Sequence, residues 1–225
     1  DVLTIGVGCM PFTNPIRDLI KLGHAHDVPV YPTIAGSGRT GQQSVEHWRG
    51  AAANMYHAGA DGMVFFNLFP KKPKHPLFMQ LGSSRKLGRM NKVFALDNQA
   101  IGDGGINHTI IKPAIPLTLN SSKPSCQLTL PVGDDVAGVA KEGRLDSAVL
   151  RIRFKRLAGK AADIIEVRLN GNVVKSAAED SGLVTYTTDP SQYRHGDNAI
   201  VLRLRETAKP IMATVSAVEL HVKYK

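Results

Sequence analysis

The residues of this chain that could do chemistry are few, and most fall in its first third. Tyr31 and Thr33 lie in the stretch "VYPTIAG", Ser37 and Arg39 in "GSGRTG", and Asn67 interrupts the apolar run "MVFFNLF". Hydroxyl, guanidinium and carboxamide groups bind hydroxyls or a carboxylate, so Tyr31, Ser37, Arg39 and Asn67 are the candidate ligand-binding residues. Glu46 is the weak catalytic candidate. It falls in the first turn of an expected helix, where the backbone dipole favours a carboxylate whatever its chemistry.

Other reactive types are placed less usefully. The glycines of "AGSGRTG" can aim backbone amides at a phosphate, but the GxxxxGK[ST] pattern is missing and no lysine stands in place, so a tight turn is the plainer reading. His24 and His26 are two apart and would face different directions on a helix. The remaining histidines, among them His57, His75, His108 and His195, show no HExxH or comparable spacing. Cys9 and Cys126 are far apart and form no metal pattern, and two buried thiols are the plain reading. No metal site and no cofactor are expected. Trp48, the only tryptophan, lies at helical spacing with Val45, Ala52 and Met55 and reads as core rather than as a stacking platform.

The elements that must position these groups alternate at first. "VLTIGVG" (2–8) reads as a buried strand. "NPIRDLIKLGHAHD" reads as a helix with Asn14 as cap, Pro15 at its first position, and Ile16, Leu19, Ile20 and Leu22 on one face. "VPVYPTIAG" is a second strand, and a helix from Ser44 to His57 follows, ended by Gly59. "GMVFFNLF" (62–69) is a third strand entered through the Asp61-Gly62 turn, which completes a β-α-β-α-β order that implies a parallel sheet. A further helix is expected around 75–96, and the Gly-, Asn- and Pro-rich stretch 98–116 reads as a linker. From Leu117 on, runs such as "CQLTLPV", "AVLRIRFKRL", "IIEVRLNGNVV" and "AVELHVKYK" alternate apolar and polar residues. Turn signals at Asn170-Gly171, Asp180-Ser181-Gly182 and His195-Gly196-Asp197 separate them, which argues an antiparallel β-sandwich.

At 225 residues and 43% hydrophobic content the chain can bury a sizeable core. Its net charge of +9 divides into +5 up to Lys112 and +4 beyond. A charge spread so evenly does not form the concentrated basic face of a nucleic-acid binder, and no apolar run is long enough to span a membrane. The chain opens on "DVLTIGVG" with no charged leader, which is expected of an intracellular protein or of a sequence whose true N-terminus is missing.

The stretches "VYPTIAGSG", "VEHWRGAAANMYHAGADGMVFFNLF" and "HPLFMQLGSSRKLGRMNKVFALDN" together resemble the last strands of the (β/α)8 barrel in glycoside-hydrolase-like families. "IEVRLNGNVV", "QYRHGDNAIVLRLR" and "VELHVKY" are similar to the jelly-roll sandwich that often follows such barrels. The resemblance implies an α/β plus all-β fold: a partial TIM barrel, its last three βα units in residues 1–112, followed by an antiparallel β-sandwich in residues 113–225. It also implies a carbohydrate partner, an extracellular or periplasmic setting, and a missing N-terminal barrel part, or another chain, to complete the barrel.

Barrel enzymes place their reacting groups at the C-terminal strand ends. The corresponding positions here, 8–13, 35–39 and 67–69, carry no Asp or Glu, whereas glycosidic cleavage needs two carboxylates. The resemblance therefore implies the C-terminal portion of a glycoside-hydrolase-like protein without a complete catalytic pair. The alternative is a non-catalytic carbohydrate-binding or structural sandwich, for which Tyr186, Tyr193 and Tyr224 are the available aromatics.

Overall fold

A computed structural model describes residues 1–6, 16–35, 44–66, 76–97, 113–157, 159–205 and 211–225. In chain order the first elements are β1 (Leu3–Ile5), α1 (Ile16–His24), β2 (Val30–Ala35), α2 (Val45–His57), β3 (Val64–Phe66), α3 (Pro76–Leu81), α4 (Ser84–Leu87) and β4 (Lys92–Ala95). There follow β5 (Leu117–Leu119), β6 (Ser125–Val132), α5 (Val136–Lys141), β7 (Leu145–Lys155), α6 (Ala161–Ile164), β8 (Ile165–Leu169) and β9 (Asn172–Val173). The last are β10 (Lys175–Asp180), β11 (Leu183–Thr187), a 3-10 turn (Pro190–Gln192), β12 (Gly196–Leu204) and β13 (Ala213–Tyr224).

The alternating second half folds as its pattern predicts. β10, β11, β7, β13 and β4 form one antiparallel sheet, to which β5 adds beside β13, and β6, β12, β8 and β9 form another. Residues two apart on a strand share a face, so β7 gives Leu150, Ile152 and Phe154 to the interior while Arg151, Arg153 and Lys155 point away. Those apolar side chains meet Leu128, Leu130, Ile200 and Leu202 of the second sheet in one core, making a β-sandwich. In β13 the inward set shifts from Ala213 and Val215 to Val218, Leu220 and Val222 across a bulge at Ser216, which keeps both stretches apolar side in.

The partial-barrel expectation is overturned. Among the described residues 44% are strand and 25% helix, and the molecule is mainly β. β1, β2 and β3 do lie parallel in that order, but they are 3, 6 and 3 residues long and form a small open sheet. Repetition stops after β3, because α3 and α4 have only 6 and 4 residues and lead into β4, which pairs antiparallel with β13. Residues 92–95, expected within a helix, are therefore strand. Their apolar spacing fits either period, and pairing with β13 decides it.

The parallel layer has its own core, in which Ile16, Ile20, Val30, Ile34, Trp48 and Met55 pack together. Trp48 is core, as its spacing suggested, whereas Leu19 and Leu22 of α1 face outward. α2 is buried on almost every side: Ala51 and Ala52 face the parallel layer and Ala53 faces the sandwich. Its small residues allow backbone-to-backbone approach. A Cβ on Gly50 would stand 2.0 Å from the Val93 carbonyl oxygen, and one on Gly133 would stand 2.3 Å from that of Ala53. At the helix end Gly59 takes φ +104°, and the amide of Ala60 reaches back to the Met55 carbonyl. Asp61 then accepts from the Val30 amide at 2.8 Å and lies 2.8 Å from His24, fastening the turn to β2.

Candidate functional site

The outward face of β7 and β13 meets the N-terminal turn of α2 around a cleft of about 920 Å³. One wall is Ser44, Glu46 and His47 of α2 and the turn before it. The sheet contributes Arg151, Arg153 and Lys155 from β7 and Glu219, His221 and Lys223 from β13, with Asn91 and Ser216 at its margins. Strand alternation puts these charges on one face, and the register sets Glu219 directly opposite Arg151.

Opposite charges across a strand pair ordinarily join, but here they do not. The Glu219 carboxylate turns to the histidines instead, with Oε2 2.8 Å from Nε2 of His221 and Oε1 3.6 Å from Nε2 of His47. Burial alone would raise its pKa; the hydrogen bond from His221 and the close approach of His47, with their charge, outweigh burial and hold it down at about 2. Nδ1 of His47 lies 3.0 Å from Oγ of Ser44. Glu46, on the same wall, is also held below the usual carboxylate range, chiefly by a hydrogen bond from Ser44 and then by its own backbone amide. Arg151 is left over: its Nε is buried with no hydrogen-bond partner, and neither Arg151 nor Arg153 forms an ion pair among the described residues.

Of the candidate ligand-binding and catalytic residues that the structure describes, Tyr31 and Glu46, Glu46 lines this cleft. Tyr31 lies in β2 opposite Thr4, and its ring covers Gly62, where a Cβ would stand 2.3 Å from the ring edge. Ser37, Arg39 and Asn67 lie outside the described residues, as do Cys9 and the glycine-rich stretch. Tyr186 and Tyr193 are 2% and 4% exposed and so form no stacking surface. Tyr224 is half-buried, its hydroxyl donating to Asp134. Cys126 is half-buried, and burial pushes its thiol up. Sequence reasoning passed over Arg151, Arg153, Glu219 and His221. The available signal was a pair of arginines two apart in "RIRFK" and the "ELHVK" of the final strand, but nothing local sets these stretches side by side.

Two further polar clusters bind the layers together. Lys92, fully buried, lies 2.7 Å from Asp134 and above the Tyr224 ring. Burial pushes its ammonium down and Asp134 pulls it back. At the other end of α2 the rings of His57 and His195 lie 4.1 Å apart, with Arg17 and Asp197 paired nearby. Among the described residues no group of three or more His, Cys, Asp or Glu could hold a metal, and no helix is long and apolar enough to cross a membrane.

No family model matches the chain, and no curated protein matches it. A solved structure similar to it is BuGH86wt, a glycoside hydrolase 86, in complex with neoagarooctaose. The identity is 12% and the TM-score 0.29; the likeness covers 71% of this chain but only 29% of that one. It is a distant glycoside-hydrolase likeness that fixes neither fold nor activity.

Proposed function

We propose that the protein is a carbohydrate-active chain, a portion of a glycoside-hydrolase-like protein, that holds saccharide in the cleft under α2 without cleaving it. The observation that carries this reading is the state of the cleft's two carboxylates. Glycosidic cleavage needs one carboxyl group that keeps its proton near neutral pH and another that is ionised. Glu219 and Glu46 are both held ionised, so neither of these carboxyl groups supplies the protonated acid that glycosidic cleavage uses. What it offers is an array of hydrogen-bonding groups, Ser44, Asn91, Ser216 and the free guanidinium groups, suited to ring hydroxyls.

Calorimetric titration of residues 1–225 with a panel of neutral and acidic oligosaccharides, neoagarooctaose among them, should show binding. A reducing-end assay on the same mixtures should show no turnover. Turnover that disappears in Glu46→Gln, or no binding across the panel, would overturn the reading.

The alternative, a purely structural sandwich, is favoured by the burial of Tyr186 and Tyr193, which removes the aromatic platform typical of a sugar-binding face. The same titration separates the two, since a structural domain binds nothing.

A further inference from the structure

We propose that the cleft binds an acidic sugar, a uronate unit of an oligosaccharide, through the guanidinium groups of Arg151 and Arg153. The inference rests on the reading that this cleft takes saccharide, and it names the class.

The cations are set by the fold. Arg151 and Arg153 alternate with Ile152 on β7, so the side chains that fill the sandwich core put both arginines on the outer face, their Cα atoms about 7 Å apart along the strand. Lys155 and Lys223 extend the same positive field. None of these four side chains donates a hydrogen bond to, or forms an ion pair with, any described residue.

The cleft's own anions are already engaged. Glu219 is the natural cross-strand partner of Arg151, but two histidines hold its carboxylate, and Glu46 is bonded to Ser44. Arg151 thus has no anionic partner among the described residues, and its charge is left for a ligand to neutralise. A guanidinium fork matches the planar geometry of a carboxylate, with two parallel N–H···O bonds. Ser216 and Asn91 line the same cleft and bring a hydroxyl and a carboxamide to it. A neutral sugar would leave the local positive charge uncompensated; a uronate neutralises it.

The test is calorimetric titration of the full chain with trigalacturonate and with its fully methyl-esterified, uncharged form. Trigalacturonate should bind about tenfold or more tightly than the ester, the gain expected of a charge-assisted pair. Arg151→Gln and Arg153→Gln should each lower the affinity for trigalacturonate by more than the affinity for the ester, and so remove most of that difference. Arg153→Lys, which keeps the charge but not the fork, should lose part of the preference. Thermal unfolding of each variant shows whether it is folded, and Arg153→Gln carries the test should Arg151→Gln not fold. Equal affinity for acid and ester overturns the uronate assignment but leaves the saccharide reading intact. Absence of binding by either overturns both. A sulfated trisaccharide that binds more tightly than the uronate overturns the choice of carboxylate.

Discussion

The carboxamide nitrogen of Asn170 donates to the carboxamide oxygen of Asn198 at 2.8 Å, joining two turns 28 residues apart in the chain. The two asparagines carry the whole end of the sandwich. Asn198, fully buried, also accepts from the Arg194 amide and donates to the carbonyls of Arg194 and Gly196. Asn170, at φ +49°, donates to the Gln192 carbonyl and accepts from the Ala199 amide. The segments "VRLNG" and "GDNAI", which carry the sequence resemblance in this half, are therefore one hydrogen-bonded unit.

Asn198→Ala removes the centre of that unit and strands several buried backbone groups. A loss of about 2–4 kcal/mol is expected, since each buried polar group left unsatisfied costs about 1–3 kcal/mol. Denaturant unfolding checks it. A loss below about 0.5 kcal/mol would show that water replaces the side chain at no cost.

Acid should weaken the seam between α2 and the sheet. The folded pKa of Glu219, about 2, lies below its ordinary value of 4.5. The associated stability is therefore fully present above pH 4.5 and is lost as pH falls towards 2, an effect on the order of 3 kcal/mol. Glu219→Gln should be less stable than the parent at pH 6 and should flatten the acid limb between pH 4.5 and 2. Parallel acid limbs in the two proteins would remove Glu219 from the account.

Gly50→Ala should lift α2 from β4. The new methyl group would meet the Val93 carbonyl at 2.0 Å, and backbone on both sides leaves no flexible side chain to yield. A cost of about 1–3 kcal/mol or more is expected for such overpacking, with a change in the fluorescence of Trp48, which is buried in the same helix. Gly88→Ala, whose Cβ finds its nearest neighbour at 3.7 Å, is the control and should be close to neutral.

Removing one member of the buried Lys92–Asp134 pair should be far worse than removing both. Asp134→Ala leaves an ammonium that is 0% exposed with the carbonyls of Leu87 and Met90 but no counter-charge, and should cost about 3–5 kcal/mol. Lys92→Met combined with Asp134→Leu should recover much of that loss. Thermal midpoints should follow at about 2–4 °C per kcal/mol for a chain of this size. A double variant no better than the single one would show that the pair stabilises by more than mutual neutralisation.

Where the sequence was legible, it was so for local reasons. Period-two alternation from Leu117 onward marks strands such as β6, β7, β12 and β13 because each has one face in the core. Asn170-Gly171 and Ser181-Gly182 mark turns because those residues do adopt positive φ. The barrel reading failed because β-α-β order says how strands alternate with helices but not how many units follow; the break after β3 depends on β4 pairing with β13, more than a hundred residues away. The cleft was hidden for the same reason. Arg151 and Glu219 read as the solvated side of two amphipathic strands, and only register makes them neighbours. The place of Glu46 in the first turn of α2 was legible because it is a local pattern, whereas its place at the cleft wall depends on where α2 docks.

The alternation of β7 has an evolutionary consequence. Stability is written in Leu150, Ile152 and Phe154, and cleft chemistry in the residues interleaved between them. A lineage could exchange Arg151 and Arg153 for other polar side chains, and so change what the cleft takes, with little disturbance to the core beneath. In this strand, a substitution that alters the cleft and one that would unsettle the core fall on alternate positions.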